Sequence, residues 1–156
     1  MAILVTLFYL AKQNRQAITL TKASEQRILI DQGNVYFERM LEEKNLPVVR
    51  KALESYRSLS NDEKAIATPI FVRTVNQYEQ CLNAYEAGTL PPDVLEASRN
   101  FCISILVTAG GNEYWTDLGA KVHGSNVCTR ISEILEAGEL PDPITSAFTF
   151  FNSDDP

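Results

Sequence analysis

The sequence has few of the residues from which catalytic and metal sites are built. It contains one histidine, His123, and three cysteines, Cys81, Cys102 and Cys128, which form no CxxC pair. An odd number of unpaired thiols is typical of a reducing compartment rather than of a disulfide framework. His123 and Cys128 are close in sequence, but zinc sites normally have paired, closely spaced ligands. We predict no metal, no cofactor and no catalytic residue.

The sequence also lacks a basic excess and a phosphate-binding loop. Its net charge is -6 at pH 7, whereas nucleic-acid binders usually carry a face rich in lysine and arginine. Ala109-Gly110-Gly111-Asn112 contains glycines but not the Gly-Lys-Ser/Thr of a P-loop, so we interpret it as a helix stop. The remaining composition, 45% hydrophobic and 22% charged over 156 residues, predicts a single folded domain that does not bind nucleic acid.

The chain begins with an uncharged run of eleven residues, MAILVTLFYLA, followed by Lys12 and Arg15. A spanning helix needs about 20 apolar residues, so this run is too short to cross a bilayer. A secretory leader has its cations before the apolar region, not after it. An apolar segment followed by cations is typical of a chain leaving a membrane on the cytoplasmic side.

Two interpretations of this run remain open. Either the recorded start is internal to a longer product whose missing residues complete a transmembrane helix, or the run is the first buried turn of a soluble helix. Its apolar side chains surround the helix on all sides, which favours lipid over a one-sided core. The preferred location is the cytoplasmic side of a bacterial inner membrane, with the cytoplasm as the alternative. The predicted membrane-proximal residues are Phe8, Tyr9, Lys12 and Arg15.

The periodicity predicts an all-α fold, in which a long N-terminal helix leads into an antiparallel bundle of about five shorter helices. Residues 12–44 contain no proline and favour one helix, with a turn at Gly33 as the alternative. A short helix is expected over 47–58. Ser60 and Glu63 have capping-box spacing, and apolar residues from Phe71 to Tyr85 follow steps of 4 and 3. Pro69 should kink or break this helix near Thr68.

Further helices are expected over 93–108, 112–122 and 125–137, with a stop at Gly110-Gly111 and a hinge at His123-Gly124. Residues 27–30 are the one short stretch where a strand is considered. These features divide the chain into an anchor-proximal helix, 1–27, a helical bundle, 28–138, and an irregular tail, 139–156.

One helix carries a concentration of polar and aromatic residues, namely Asn76, Tyr78, Glu79, Asn83 and Tyr85. Neighbouring positions on a helix surface can hydrogen-bond to another helix. A buried interhelix network, a ligand contact and a plain surface all remain open for this cluster.

The tail carries three phenylalanines, Phe148, Phe150 and Phe151. Apolar rings near a chain end usually have a surface to dock on. They either pack on their own bundle or contact a partner or second subunit.

The order of these features resembles a group of uncharacterised bacterial proteins. The resemblance rests on ILIDQGNVYFERML, PVVRKALESY, the aromatic helix that closes with the Gly-x-Leu-Pro of Gly88 to Pro91, and Trp115 in NEYW. Such proteins look like single-pass, N-terminally anchored helical domains with no established activity. This sequence departs from them in its short apolar start.

We therefore expect a non-enzymatic helical domain tethered to the cytoplasmic face of a bacterial membrane, acting by protein contacts or self-association. A soluble cytosolic helical binding protein is the alternative, and a hydrolase or metal enzyme in the bundle is the third class.

Overall fold

A computed structural model describes residues 2–148, except for the side chains of residues 2–9, 11 and 36. Every regular element in that part of the chain is helical, which confirms the predicted all-α fold. The helices are α1 (Ala2–Leu41), α2 (Leu46–Glu54), α3 (Asn61–Glu86), α4 (Pro92–Leu106), α5 (Ala109–Tyr114), α6 (Ala120–Val122), α7 (Ser125–Ala137) and α8 (Ile144–Ala147), with a π-helical segment, Trp115–Gly119, between α5 and α6.

Helix α1 is continuous, so the alternative turn at Gly33 and the short strand over 27–30 are both wrong. A Cβ atom at Gly33 would lie 3.8 Å from the side chain of Gln77 in α3, so α1 passes close to α3 at its glycine. The helix ends at Leu41, where the Asn45 side chain donates a hydrogen bond of 2.9 Å to the carbonyl oxygen of Arg39. That bond satisfies one of the carbonyls left open at a helix end.

Helix α3 begins with the predicted capping box. The Ser60 hydroxyl accepts a hydrogen bond from the backbone N–H of Glu63, and the Glu63 carboxylate accepts one of 2.7 Å from the N–H of Ser60. The break expected near Thr68 is wrong, since α3 continues through Pro69 to Glu86. Pro69 and Ala65 are both exposed, so the Ala65 carbonyl, which proline leaves without its helical donor, can be hydrated.

Helix α4 ends at Leu106, close to the predicted end at 108, but the role predicted for Gly110-Gly111 as a helix stop is wrong, because these glycines form the first turn of α5. The Thr108 hydroxyl caps this helix by accepting a hydrogen bond of 3.0 Å from the N–H of Gly111. A Cβ atom at Gly110 would collide with the carbonyl oxygen of Ala52 in α2. Glycine is therefore required here by close packing between two helices rather than by chain termination.

The core lies around the antiparallel pair α3 and α4, which a turn with Gly88 in a left-handed conformation connects. Three of its aromatic rings pack together. Phe71 stacks on Tyr114 with ring centroids 4.7 Å apart, and Tyr56 meets both rings edge-on. The tail expected to be irregular contains α8, and Ile144 of α8 is buried in this core. Helix α8 is thus packed against the bundle.

Helix α1 has two unlike halves. We call residues 10–25 the arm, because every side chain described there is exposed, and residues 26–41 the docked half. The docked half packs on α3 and α2, and the Gln77 side chain donates a hydrogen bond of 2.8 Å to the Leu29 carbonyl oxygen. A transmembrane helix finds no support among the described residues, where no helix is long and apolar enough to cross a membrane.

Candidate functional site

The five residues of the polar and aromatic cluster on α3 lie in different parts of the structure. Asn76 and Glu79 face the turn between α6 and α7, where Asn76 contacts His123 and Glu79 lies beside Gly124. Tyr78 is buried, and Tyr85 is exposed at the rim of a groove. Asn83 is exposed. The five residues therefore do not form one site.

Asn76 belongs to a network centred on His123. The Asn76 side-chain oxygen lies 3.1 Å from Nδ1 of His123, and the Tyr114 hydroxyl lies 3.0 Å from Nε2. An amide oxygen can only accept, so Nδ1 carries the proton. The neutral ring then accepts the Tyr114 hydroxyl proton at Nε2. Asn76 thus fixes the tautomer of the imidazole ring, and the Tyr114 hydroxyl donates to the other ring nitrogen, Nε2.

Burial controls the protonation of this network. It lowers the pKa of His123, although the Glu79 carboxylate opposes the shift, and it raises the pKa of Tyr114. Both groups therefore stay neutral near pH 7. The Trp115 ring stacks over His123 with centroids 6.1 Å apart. His123 is held as a satisfied, neutral side chain that joins α3 to the end of α5.

The neighbouring thiol does not form a nucleophile and base pair with this ring. The Cys128 thiol donates to the carbonyl oxygens of Ala120 and His123 rather than to the imidazole, and burial raises its pKa. Burial also raises the pKa of Cys102. A protonated thiol is a poor nucleophile. Within residues 2–148, as far as their side chains are described, no three histidine, cysteine or carboxylate residues are grouped as metal ligands would be.

Sequence reasoning considered His123 only as a metal ligand and as part of a hinge. Its two partners lie 47 and 9 residues away, and the π-helical segment that follows Tyr114 has no local signature in the sequence. The accumulation of Asn76 and Glu79 on one face of α3 was the available signal. It marked the right helix face without identifying the histidine opposite.

Among the open grooves on the described part of the bundle, two are lined by aromatic residues. The first, which we call the tyrosine groove, has a volume of about 520 Å³ and lies between α3, α4 and α7. Its floor is apolar and aromatic, and its rim is charged. Arg99 faces Glu96 at 3.7 Å and Arg130 faces Glu133 at 3.5 Å. The groove is lined by Tyr78, Leu82, Tyr85, Glu86, Pro92, Leu95, Glu96, Arg99, Arg130, Glu133 and Ile134.

The second, which we call the apolar groove, has a volume of about 360 Å³ and lies between the docked half of α1, α3 and α4. Phe37 lies at one end of it, where its ring meets Phe101 at a centroid distance of 6.0 Å and Phe148 at 5.8 Å. The groove is lined by Leu29, Ile30, Gly33, Asn34, Phe37, Gln77, Cys81, Val94, Ala97, Ser98, Phe101 and Phe148.

The remaining predicted contact residues are only partly described. Phe148 lies at the apolar groove, whereas Phe150 and Phe151 lie outside the described residues. Lys12 and Arg15 are exposed on the arm, and the side chains of Phe8 and Tyr9 are not described.

No family model matches this chain, and no curated protein or solved structure matches it either. The functional conclusion therefore depends on the geometry of the arm, the grooves and the histidine network.

Proposed function

We propose that this protein is a helical domain held at the cytoplasmic face of a bacterial membrane by its N-terminal segment, and that it acts through protein contacts rather than catalysis. The observation that carries this proposal is the arm, a helical segment whose described side chains are all exposed. This proposal agrees with the resemblance of the sequence to N-terminally anchored helical proteins.

A helix exposed on all sides has little reason to persist alone. Isolated helices of this length are marginal in water, and most helices in proteins are stabilised by packing. The arm exposes Leu10, Ile18 and Leu20 to solvent. A second surface at the far end of the arm would supply the missing stabilisation.

The arm is poorly suited to lying flat on a membrane. An interfacial helix has a wide apolar face opposite its basic face. Lys12, Arg15 and Lys22 share one side of the arm, but the opposite side is interrupted by polar residues such as Gln13 and Asn14. This interruption favours an arm that meets the membrane end-on.

The segment before the arm has the composition for that end-on contact. The helical residues 2–11 extend about 15 Å at 1.5 Å per residue, about half the hydrocarbon thickness. Lys12 and Arg15 then follow at the depth where anionic headgroups attract cations. The apolar segment and these cations together form the proposed tether.

The tyrosine groove supports the second part of the proposal. Tyrosine and arginine are enriched among the residues that dominate binding energy in protein interfaces. The groove combines Tyr78 and Tyr85 with Arg99 and Arg130 beside an apolar floor. It is open to solvent, as expected for a partner's side chains rather than for an enclosed substrate.

A cytoplasmic binding protein is the second candidate. In that case residues 1–11 pack against a protein partner instead of lipid. The uncharged run fits this candidate equally well, because an apolar helix face can be buried either in lipid or against a protein.

Membrane partition of the native gene product tests the proposal. Cells are fractionated, the membranes are washed with high salt and then with carbonate, and the protein is detected by blotting. Retention through both washes is the expected result. Release into the soluble phase would instead support the cytoplasmic candidate.

A matched pair of variants identifies the segment responsible. Leu7→Asp places a charge in the apolar segment and should release the protein from the membrane. Ala17→Asp places the same charge in the exposed arm and should leave the protein bound. Equal behaviour of the two variants would contradict a tether formed by residues 1–11.

A further inference from the structure

We propose that the apolar groove is the binding site of the chain's own C-terminal segment, residues 149–156. This inference concerns a different surface from the tether and the tyrosine groove, and it does not depend on the membrane proposal.

Apolar atoms make up most of the lining of this groove. Leu29 and Ile30 of α1 and Val94 of α4 are among its lining residues. Contiguous apolar surfaces of this kind on soluble domains usually have an occupant. The occupant should therefore carry large apolar side chains.

The chain delivers such side chains to the end of the groove. Ile144 is buried in the core and fixes α8 in place. Four residues later, Phe148 contacts Phe37. The next residues are Thr149, Phe150 and Phe151, so two further aromatic rings follow directly where the lining begins.

The first four residues of the segment match the length of the groove. Along α1, the open floor runs from Phe37 back to Leu29, about 12 Å at 1.5 Å per residue. Four residues of extended chain cover about 13 Å. A segment leaving Phe148 along this path therefore brings Phe150 and Phe151 over the floor.

Charge complementarity supports the same direction. Positions 22, 29, 33 and 37 share one face of α1, since they are separated by steps of 7, 4 and 4. Lys22 is exposed on that face, about 22 Å from Phe37 along the helix. Asp155, seven residues after Phe148, reaches about the same distance in an extended chain.

A covalently attached segment is favoured over a second copy of the chain. Attachment at the rim gives the segment a local concentration in the millimolar range. A second copy would have to bring another chain of net charge -6 to the same place.

The consequence is a groove that its own chain covers. An outside partner would bind there only by displacing residues 149–156. The segment would then act as an intramolecular competitor whose strength is set by Phe150 and Phe151.

Nuclear Overhauser measurements on the full chain test this proposal directly. Phenylalanine ring protons and the methyl groups of Leu29, Ile30 and Val94 are labelled selectively. Phe150→Leu and Phe151→Leu variants assign the two rings. Cross-peaks from Phe150 or Phe151 to these methyl groups are expected, and their complete absence would overturn the proposal.

A sample that mixes two differently labelled populations of the chain distinguishes the chain's own segment from a second copy as the occupant of the groove. One population carries labelled phenylalanine and the other carries labelled methyl groups. Loss of the cross-peaks in this sample, with retention in the uniformly labelled chain, is the expected result. Cross-peaks that persist between the two populations would show a second copy in the groove and would overturn the intramolecular assignment.

A dye that becomes fluorescent on apolar surfaces provides an independent readout. The double variant Phe150→Ser/Phe151→Ser should increase dye fluorescence several-fold because the groove is uncovered. Leu140→Ser is the matched control, since Leu140 is exposed and does not line the groove. No increase in the double variant over this control would contradict the proposal.

Discussion

The two halves of α1 form one continuous helix but differ in what stabilises them. The docked half buries Met40 completely and receives a hydrogen bond from Gln77. In the arm, Thr19 and Thr21 donate their hydroxyls to carbonyls of the preceding turn, a local bond that does little for helix stability. Stability therefore differs along one element, as expected when tertiary packing rather than propensity dominates.

Leucine truncation gives the largest expected difference between bundle and arm. Leu106 is 2% exposed in the core, whereas Leu20 is 71% exposed on the arm. Leu106→Ala should reduce the free energy of unfolding by about 2–5 kcal/mol, because it removes buried methyl groups and leaves a cavity. Leu20→Ala should change it by less than about 0.5 kcal/mol.

Urea denaturation of both leucine variants measures these free energies. Equal losses would mean that the arm is packed against the domain in solution, and the distinction between the two regions would then be wrong.

Glycine substitution gives the next largest effect. Gly110→Ala forces a Cβ atom into the Ala52 carbonyl oxygen, so α2 and α5 must separate at a cost of about 1–3 kcal/mol. Gly33→Ala is the control in the docked half, where a Cβ would only reach ordinary contact with Gln77 at 3.8 Å. Alanine should stabilise that helix by about 0.5–1 kcal/mol.

Thermal unfolding of the two glycine variants should therefore shift the midpoint in opposite directions. A destabilised Gly33→Ala variant would show that this part of α1 bends in solution.

Removal of the capping box tests a local contribution within the bundle. Ser60→Ala deletes the hydroxyl that accepts from Glu63, which should cost about 1 kcal/mol. The paired contacts from Lys51 and Ser60 lower the pKa of Glu63 to about 2, so part of the effect should disappear in strong acid. Urea denaturation at pH 7, with Ser58→Ala as a control outside the box, measures the difference.

Protonation of His123 should give the smallest effect, because its ring is only partly buried. Burial lowers its pKa below the ordinary 6.5, so the unfolded chain binds the proton more readily than the folded chain. The resulting stability is fully present above pH 6.5 and is lost progressively as the pH falls below it. The groups facing the ring are Asn76, Glu79, Tyr114 and Cys128.

Urea midpoints between pH 7.5 and pH 5 measure this contribution. His123→Gln should remove the part of the pH dependence that belongs to the imidazole. An unchanged profile in that variant would assign the pH dependence to carboxylates instead.

Capping motifs and apolar periodicity in the sequence correctly predicted the helices whose ends and faces depend on nearby residues. The capping box at Ser60 and the apolar spacing after Phe71 located α3, and α7 begins and ends at the expected residues. The helix containing Gly110 was misread because its glycine is required by contact with Ala52, 58 residues away. Pro69 was misread because its exposed position lets water replace the lost hydrogen bond.

The site was less predictable than the fold. The polar face of α3 was visible in the sequence, but the partners of Asn76 depend on how α3 meets the turn before α7. The two grooves are likewise products of three helices each. No single segment carries a pattern from which they could be inferred.

Helix α1 passes through Gly33 without a turn, so the arm and the docked half belong to one continuous helix. Binding at the far end of the arm, as the proposed tether requires, would supply the stabilisation that the arm lacks alone, and the orientation of residues 2–9 about the helix axis would then also set the direction in which the bundle faces. Each residue inserted into the arm would rotate the tyrosine groove by about 100° and move it by about 1.5 Å. The protein would thus present the tyrosine groove in one fixed direction. An inserted residue would change that direction far more than it would change the distance of the groove from the residues at the start of α1.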